Sequence, residues 1–296
     1  TIELCTPYTL SFPISGTTNN PPGTIYIITK NDGTPNDTLS HPPPTNYIHN
    51  FTNTSCGATG GIDPNTFFVR IKAQNPCGSS TATIEPITTN QIPVANFTIS
   101  PDTIVCINTT VTFSNKSQDG ATVDNNGVCD TTTANNWSIS PTTGWTLVSS
   151  TLGTNPLNPY NPNTWGSNNL VAQFNVAGVY QIKLRVQGTN TCGYDSIVKT
   201  ICVQTPPTPS FIATPLTGCS PLVVNFTNTS TGLNQCGPIT RLWTVTKTSF
   251  TCQADSTNDY VFISGTNSTS NNPVIRFNNQ GTYSVTLQLT NKCGQF

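Results

Sequence analysis

The sequence predicts an all-β chain of three tandem Greek-key β-sandwiches, the first and last cut short, and three observations carry that reading. Apolar residues alternate strictly in short runs, as in Ile182, Leu184 and Val186 or Val285, Leu287 and Leu289, which is the period-two pattern of a half-buried strand. Turn-forming residues punctuate the chain about every ten residues, and no stretch has a helical period. The motif Asn-x-Cys-Gly appears three times, as NPCG at 75–78, NTCG at 190–193 and NKCG at 291–294. A period of about a hundred residues is too long for a solenoid repeat and suits whole domains in tandem.

The elements line up copy by copy. The run TATIEPITTNQIPVANFTISPDTIVCINTTVTFSNKS follows the first motif, and SIVKTICVQTPPTPSFIATPLTGCSPLVVNFTNTS follows the second. Each leads through a Pro-containing link to a phenylalanine (Phe97, Phe211), then Pro, then Cys (Cys106, Cys219), then an alternating strand. The central strand carries a tryptophan in NNWSIS (Trp137) and RLWTVT (Trp243), where the first copy has TIYIIT. Gly178-Val179-Tyr180 and Gly281-Thr282-Tyr283 open the strand that leads into the later motifs, and the first copy offers NTFFVRIKAQNPCG without the Gly-x-Tyr. The Pro-rich links set boundaries near Ile92 and Thr205, giving units 1–91, 92–204 and 205–296. The opening TIELCTPYTLSF starts at the Cys-then-strand part, and the closing CGQF precedes a final strand, so a segment of a longer repeating chain is expected.

Composition excludes several classes of function. Only 8% of residues are charged and the formal net charge is -1, which leaves no basic field for nucleic acid or anionic lipid. No stretch approaches the roughly 20 apolar residues of a membrane-spanning helix. Eleven cysteines stand singly, with no Cys-x-x-Cys pair and no neighbouring histidine, so disulfides in an oxidising, extracellular setting are expected rather than zinc or thiol redox chemistry.

The blocks SPLVVNFTNTS, the central Trp strand and GTYSVTLQLTN resemble the polycystic-kidney-disease (PKD) repeat, an immunoglobulin-like sandwich common in bacterial surface proteins. The likeness covers copies two and three well and copy one weakly. The family's acidic, glycine-rich turn after the Trp is missing, and WSISPTTGW and WTVTKTSF stand in its place.

In such a sandwich, with strands lettered A to G, the B–C, D–E and F–G loops lie at one end and the A–B, C–D and E–F loops at the other. Asn-x-Cys-Gly is then the F–G turn. The expected bridges are Cys56–Cys77, with Cys56 in a D–E loop, together with Cys129–Cys192 and Cys236–Cys293 at the same end of each copy. Cys106–Cys202 and Cys219–Cys252 are expected at the opposite end, leaving Cys5 without a partner or bridged to missing residues, a neighbouring module or another chain. A rival pattern joins the A–B turn of one copy to the F–G turn of the next.

Candidates for chemistry are sparse. His41 and His49 lie in HPPPTNYIHN and read as solvated loop residues, and no Ser or Cys has a histidine in repeat register, so an enzyme is not expected and no cofactor is implied. Asp119, Asp124 and Asp130 form an oxygen-rich set that suits calcium, although its spacing departs from the twelve-residue loop and a polar turn is the plainer reading. Trp145, Tyr160 and Trp165 lie in a long insert of copy two, where they either stack on sugar rings or pin the loop to the sandwich. Thr38, Thr103, Thr131, Ser196 and Ser256 each follow an aspartate in triplets that resemble the O-glycosylation sequon of exported Bacteroidota proteins. Asn-x-Ser/Thr triplets at Asn50, Asn96, Asn136 and Asn225 are the weaker set.

The expected function is structural and adhesive: a stiff, disulfide-bound stalk or filament segment of a large secreted protein on a bacterial cell surface. The resemblance points to the gliding-motility and adhesion proteins of Bacteroidota. Its partners would be neighbouring repeats, other copies or surface glycans. The alternative is a non-catalytic spacer or carbohydrate-binding region of a secreted polysaccharide-degrading enzyme.

Overall fold

The computed structural model describes residues 4–189, 192–249 and 258–296. Apart from one 3-10 turn, Pro162–Thr164, every regular element among them is a β-strand. Three hydrophobic clusters lie in succession along the sequence. The first is built on Phe12, Ile28, Phe51 and Phe67, the second on Phe97, Phe113, Trp137 and Leu184, and the third on Phe226, Trp243, Ile275 and Leu289.

The middle stretch shows the topology most fully. One sheet runs in the order Trp145–Leu147, Asn169–Phe174, Thr110–Asn115, Phe97–Ser100, which are strands D, E, B and A. The other runs Ile104–Cys106, Tyr194–Gln204, Gly178–Gly188, Thr133–Ser140, which are A′, G, F and C. A′ pairs with G in parallel, whereas all the other pairs here are antiparallel. D-E-B-A facing G-F-C is the immunoglobulin-like arrangement. The same order recurs toward the C-terminus, where Tyr260–Ile263, Val274–Phe277, Leu222–Asn228 and Phe211–Thr214 face Gly294–Gln295, Tyr283–Asn291 and Thr240–Lys247.

The alternation seen in the sequence is what fills these cores. Strand F of the middle stretch buries Tyr180, Ile182, Leu184 and Val186 and turns Gln181 and Lys183 outward. Trp137 and Trp243 stand on the C strands at 2% exposure, and their indole N–H groups donate to the Ser167 and Ser270 carbonyls at 2.8 and 2.9 Å. Phe97 and Phe211 meet them edge-on, with centroids 5.3 and 5.0 Å apart. The Gly-x-Tyr stretches form tyrosine corners: the Tyr180 and Tyr283 hydroxyls donate to the Val176 and Asn279 carbonyls four residues upstream, both at 2.9 Å.

The first stretch departs from the other two. Strands B and E, Tyr8–Pro13 and Asn46–Phe51, form a two-stranded sheet, and the other sheet runs Asp37–Ser40, Ile25–Lys30, Phe67–Asn75, Gly78–Ile87. Asp37–Ser40 thus hangs on strand C as a C′ strand rather than on strand E as a D strand. Cys56 therefore follows strand E, and its expected place in a D–E loop is corrected to the E–F connection, at the opposite end of the sandwich.

Candidate functional site: the disulfide-tied junctions

The recurring cysteines decide how successive sandwiches meet. The bonds are Cys5–Cys192, Cys56–Cys129, Cys106–Cys293 and Cys202–Cys236, with Cα separations of 5.5, 5.6, 4.9 and 5.5 Å, all within the span a disulfide bridges. Each joins a strand or loop around one hydrophobic cluster to a loop around the next. The expected pairs Cys56–Cys77, Cys129–Cys192, Cys106–Cys202 and Cys236–Cys293 are corrected accordingly, and Cys5 has a partner. Cys252 lies outside the described residues, and Cys219 is an exposed free thiol, as is Cys77. The physical reason is proximity across the junction. The A–B end of one sandwich rests on the F–G and B–C loops of the next, so the nearest sulfur belongs to the neighbour. The rival pattern, A–B turn to following F–G turn, is the one the chain adopts.

The two junctions repeat one design. Cys5–Cys192 and Cys106–Cys293 both run from the A–B side of one unit to the F–G turn of the next, and both span 187 residues. Cys56–Cys129 and Cys202–Cys236 add a second tie to the following B–C loop, from the E–F connection in the first case and from strand G in the second. The F–G turn requires its glycine because Gly78, Gly193 and Gly294 have φ of 148°, 116° and 130°, a region that side chains disfavour. Asn supplies the matching acceptor, since the Asn75 and Asn291 side chains accept from the N–H of Cys77 and Cys293 at 2.9 and 2.8 Å.

Polar contacts reinforce the sulfurs. A buried amide closes strand G on each side: Asn90 Oδ1 accepts from the Val123 N–H at 2.9 Å, and Gln204 Oε1 from the Lys292 N–H at 2.9 Å. At the first junction Asn65 Nδ2 also donates to the Gly127 carbonyl at 2.7 Å. At the second, Gln235 brackets the linker, accepting from the Thr205 N–H at 2.7 Å and donating to the Thr205 carbonyl at 3.0 Å, while Asn291 Nδ2 donates to the same carbonyl at 2.8 Å. Lys292 pairs with Asp102 at 2.7 Å, and that ammonium is the main reason the Asp102 carboxyl titrates below its usual range.

Of the other candidates, Asp124, Asn125, Asp130 and Tyr160 line one cleft together with Thr189. The carboxylates proposed for calcium serve the backbone: Asp124 Oδ1 accepts from the N–H of Asn126 and Val128 at 2.9 and 2.7 Å, and Asp130 takes the Thr132 N–H at 2.8 Å and the Thr189 hydroxyl at 2.7 Å. Among the described residues no three His, Cys, Asp or Glu side chains are gathered as metal ligands, and Asp119 joins no such group. Trp145 packs against the middle core with its indole N–H on the Pro141 carbonyl at 2.8 Å, and Trp165 donates to the Asn158 carbonyl at 2.8 Å. Tyr160 is 74% exposed, with its hydroxyl on the Thr189 carbonyl. Trp145 is thus fastened to Pro141 beside the middle core, Trp165 to Asn158 within the insert, and Tyr160 to Thr189. Of the Asp-preceded hydroxyls, Thr38, Thr103 and Thr131 are exposed, Ser196 is half-buried, and Ser256 lies outside the described residues.

His41 lies, half-buried, in the connection between the strands Asp37–Ser40 and Asn46–Phe51, whereas His49 is corrected from a loop to a strand position. His49 sits on the strand Asn46–Phe51, 2.5 Å from Asp32 Oδ2, stacked on Tyr47 and edge-on to Phe51. His41 Nδ1 lies 3.0 Å from the Tyr26 hydroxyl. Burial pushes the Asp32 carboxyl upward, but hydrogen bonds from Thr34 and His49 outweigh it and the net shift is downward. Beside it, Lys30 Nζ donates to Asp37 at 2.5 Å and to Tyr47 at 2.9 Å.

No family model matches the chain, and no curated protein does. Solved structures do. An I-band fragment of titin is 12% identical over 99% of this chain and 92% of its own, with a TM-score of 0.33. The eight N-terminal Ig domains of Down syndrome cell adhesion molecule are 13% identical over 99% of this chain and 34% of that one, at 0.43. The ectodomain of mouse nectin-like molecule 4 is 13% identical over 99% and 93%, at 0.37. All three are runs of Ig-like domains, and at these identities and scores they assign neither a family nor an activity. Among the described residues, no helix is long and apolar enough to cross a membrane.

Proposed function

We propose that the chain is a stiff structural and adhesive segment of a large extracellular protein, made of three PKD-like sandwiches at 1–91, 92–204 and 205–296. The observation that carries this reading is that all four disulfides among the described residues tie one unit to the next. Bonds within a sandwich would stabilise a domain. Bonds between sandwiches stabilise their mutual orientation, which is what a stalk needs and a soluble enzyme module does not. The oxidising compartment that four disulfides require fits a bacterial cell surface. Exposed Thr38, Thr103 and Thr131 on a nearly uncharged exterior fit a glycan coat. Neighbouring repeats and other copies are the partners this surface suits.

The covalent network sets the test. The shortest route from Cys5 to Cys293 crosses to Cys192, follows the backbone to Cys202, crosses to Cys236 and continues to Cys293. That is roughly 70 residues, or about 240 Å when extended, against on the order of 1,000 Å for the whole backbone. Single-molecule extension between the termini should stop near the shorter length when the chain is oxidised and lengthen about fourfold after reduction. Equal contour lengths in the two states would reject a junction-tied stalk.

A further inference from the structure

The sandwich built on Trp243 carries an enclosed polar triad where its C–D and E–F connections meet. Lys247 ends strand C, Asp259 precedes strand D, and Asn279 follows strand E. The Lys247 side chain is 6% exposed and that of Asp259 8%. Asp259 Oδ1 lies 3.3 Å from Lys247 Nζ and accepts from Asn279 Nδ2 at 2.5 Å, so one carboxylate oxygen holds an amine and a carboxamide side by side. One wall is aromatic: the Tyr283 ring lies 6.0 Å from Lys247 Nζ and packs on Phe277 with centroids 4.6 Å apart. The lysine stem runs over Gly281, where a Cβ would stand 2.9 Å from Lys247 Cε, so the glycine leaves the lysine its slot.

The sandwich fold does not call for these groups. By the register of strands C with F and D with E, and by distance from the tyrosine corner, the positions of Lys247, Asp259 and Asn279 are held in the middle sandwich by Pro141, Gly144 and Val176. All three are replaced together, and the middle sandwich closes the same corner with neither charge nor carboxamide. A buried ion pair adds little net stability over apolar packing, so stability alone is a weak reason for the triad.

Its chemistry gives a stronger one. An amine, a carboxamide and a carboxyl held in contact in an enclosed corner are a nucleophile, an acyl group and a proton carrier already in place. We propose that Lys247 and Asn279 condense to an isopeptide bond, with Asp259 as the catalytic residue. Asp259 takes a proton from the Lys247 ammonium, and the freed amine attacks Cγ of Asn279 to form the N–C bond. Asp259 returns that proton to Nδ2, the atom it already contacts, as the Cγ–Nδ2 bond breaks. The new amide nitrogen sheds one further proton to the departing ammonia, which leaves as ammonium. No oxidant or co-reactant enters. The bond closes the loop 248–278 within one sandwich and stands apart from the disulfide junctions. In the extension measurement it hides the same loop before and after reduction, so the difference that tests the stalk reading is unchanged.

The experiment is mass spectrometry of the full chain, produced in a host that adds no glycans, then reduced and alkylated so that no disulfide remains. The expected intact mass is one ammonia below that of the alkylated sequence, and a protease digest should contain a branched peptide joining Lys247 to Asn279. Lys247→Arg, Asn279→Ala and Asp259→Asn should each restore the full mass. Amide exchange in the strand Tyr283–Asn291 identifies which variants are folded, and the wild-type branched peptide decides the matter even where one is not. A wild type of full mass, a loss of ammonia without the branched peptide, a loss of water with Lys247 joined to Asp259, or a branched peptide that persists in folded Asp259→Asn would overturn the proposal.

Discussion

Cys106 and Cys293, separated by 187 residues, stand with their Cα atoms 4.9 Å apart and share a disulfide across the junction between the sandwich built on Trp137 and the one built on Trp243. Around that bond, Lys292 N–H donates to Gln204 Oε1, Ile107 N–H donates to the Gln204 carbonyl at 2.8 Å, and Cys202–Cys236 supplies a second covalent tie. The cores on either side do not depend on it. Cys106→Ser should therefore leave both sandwiches folded while weakening the junction by about 2–4 kcal/mol, the usual worth of a disulfide. Hydrogen exchange is the measure: the Lys292 amide should lose protection, and amides of the core strands Gly178–Gly188 and Tyr283–Asn291 should keep it. Loss of protection throughout both strands would show that the bond holds the sandwiches themselves.

A second expectation concerns the turn that presents the sulfur. Gly294 has φ of 130°, and a Cβ built there meets nothing closer than the Phe296 ring at 3.7 Å, so the constraint is conformational rather than steric crowding. Gly294→Ala should cost about 1–2 kcal/mol in the turn and slow formation of the Cys106–Cys293 bond during oxidative refolding. Lys292→Ala, which keeps the turn and removes only an exposed ion pair, should change the rate of bond formation little. Equal rates for the two variants would separate the glycine from the placing of Cys293.

The fold was legible in the sequence because it is written locally. Alternation in Tyr180 to Val186 states which face is buried, Gly-x-Tyr opens strand F, and Trp137 and Trp243 mark strand C. The disulfide connectivity was not legible, because a spacing identifies a loop and its end of the sandwich but not which neighbour that end touches. Cys56 shows the same limit, since placing it required knowing that Asp37–Ser40 pairs with strand C, a choice that depends on sheet edges and not on composition. The His49–Asp32 pair escaped because one member lies on the strand Asn46–Phe51 and the other on the connection after Ile25–Lys30, and they meet only when the two sheets close.

The tyrosine corners offer a third test. Tyr180 donates to the Val176 carbonyl and sits 3.2 Å from the Gly144 carbonyl, and Tyr283 donates to Asn279. Both rings pack on phenylalanine, Phe174 and Phe277, at 4.7 and 4.6 Å. Tyr180→Phe and Tyr283→Phe keep the ring and remove only the hydroxyl, so each should destabilise its sandwich by about 1 kcal/mol. Trp243→Ala, which empties the third core, should cost about 3–5 kcal/mol. Urea unfolding midpoints read both, and a phenylalanine variant as damaging as the alanine would mean that the corner does more than hold the turn.

The pH dependence of the first sandwich follows from Asp32. Its carboxyl is nearly enclosed, accepts from the Thr34 N–H and hydroxyl at 3.1 and 2.6 Å, and meets His49 at 2.5 Å. Burial alone would raise its pKa, and these hydrogen bonds reverse the sign, leaving it below the ordinary value of a carboxylate. A carboxyl that ionises more readily folded than unfolded stabilises the fold above its unfolded pKa, near 4, and that contribution disappears as pH falls through the lower folded value. Stability of the wild-type first sandwich should thus drop steeply below about pH 4. Asp32→Asn, which keeps the side chain's shape and removes the charge, should be less stable near neutrality and show a flatter acid limb. Chemical denaturation at a series of pH values, monitored by amide exchange in the strand Asn46–Phe51, makes the measurement. An Asp32→Asn variant with an acid limb as steep as the wild type would move the titrating group elsewhere, to Asp37, whose carboxyl is also lowered, chiefly by its hydrogen bond from Lys30.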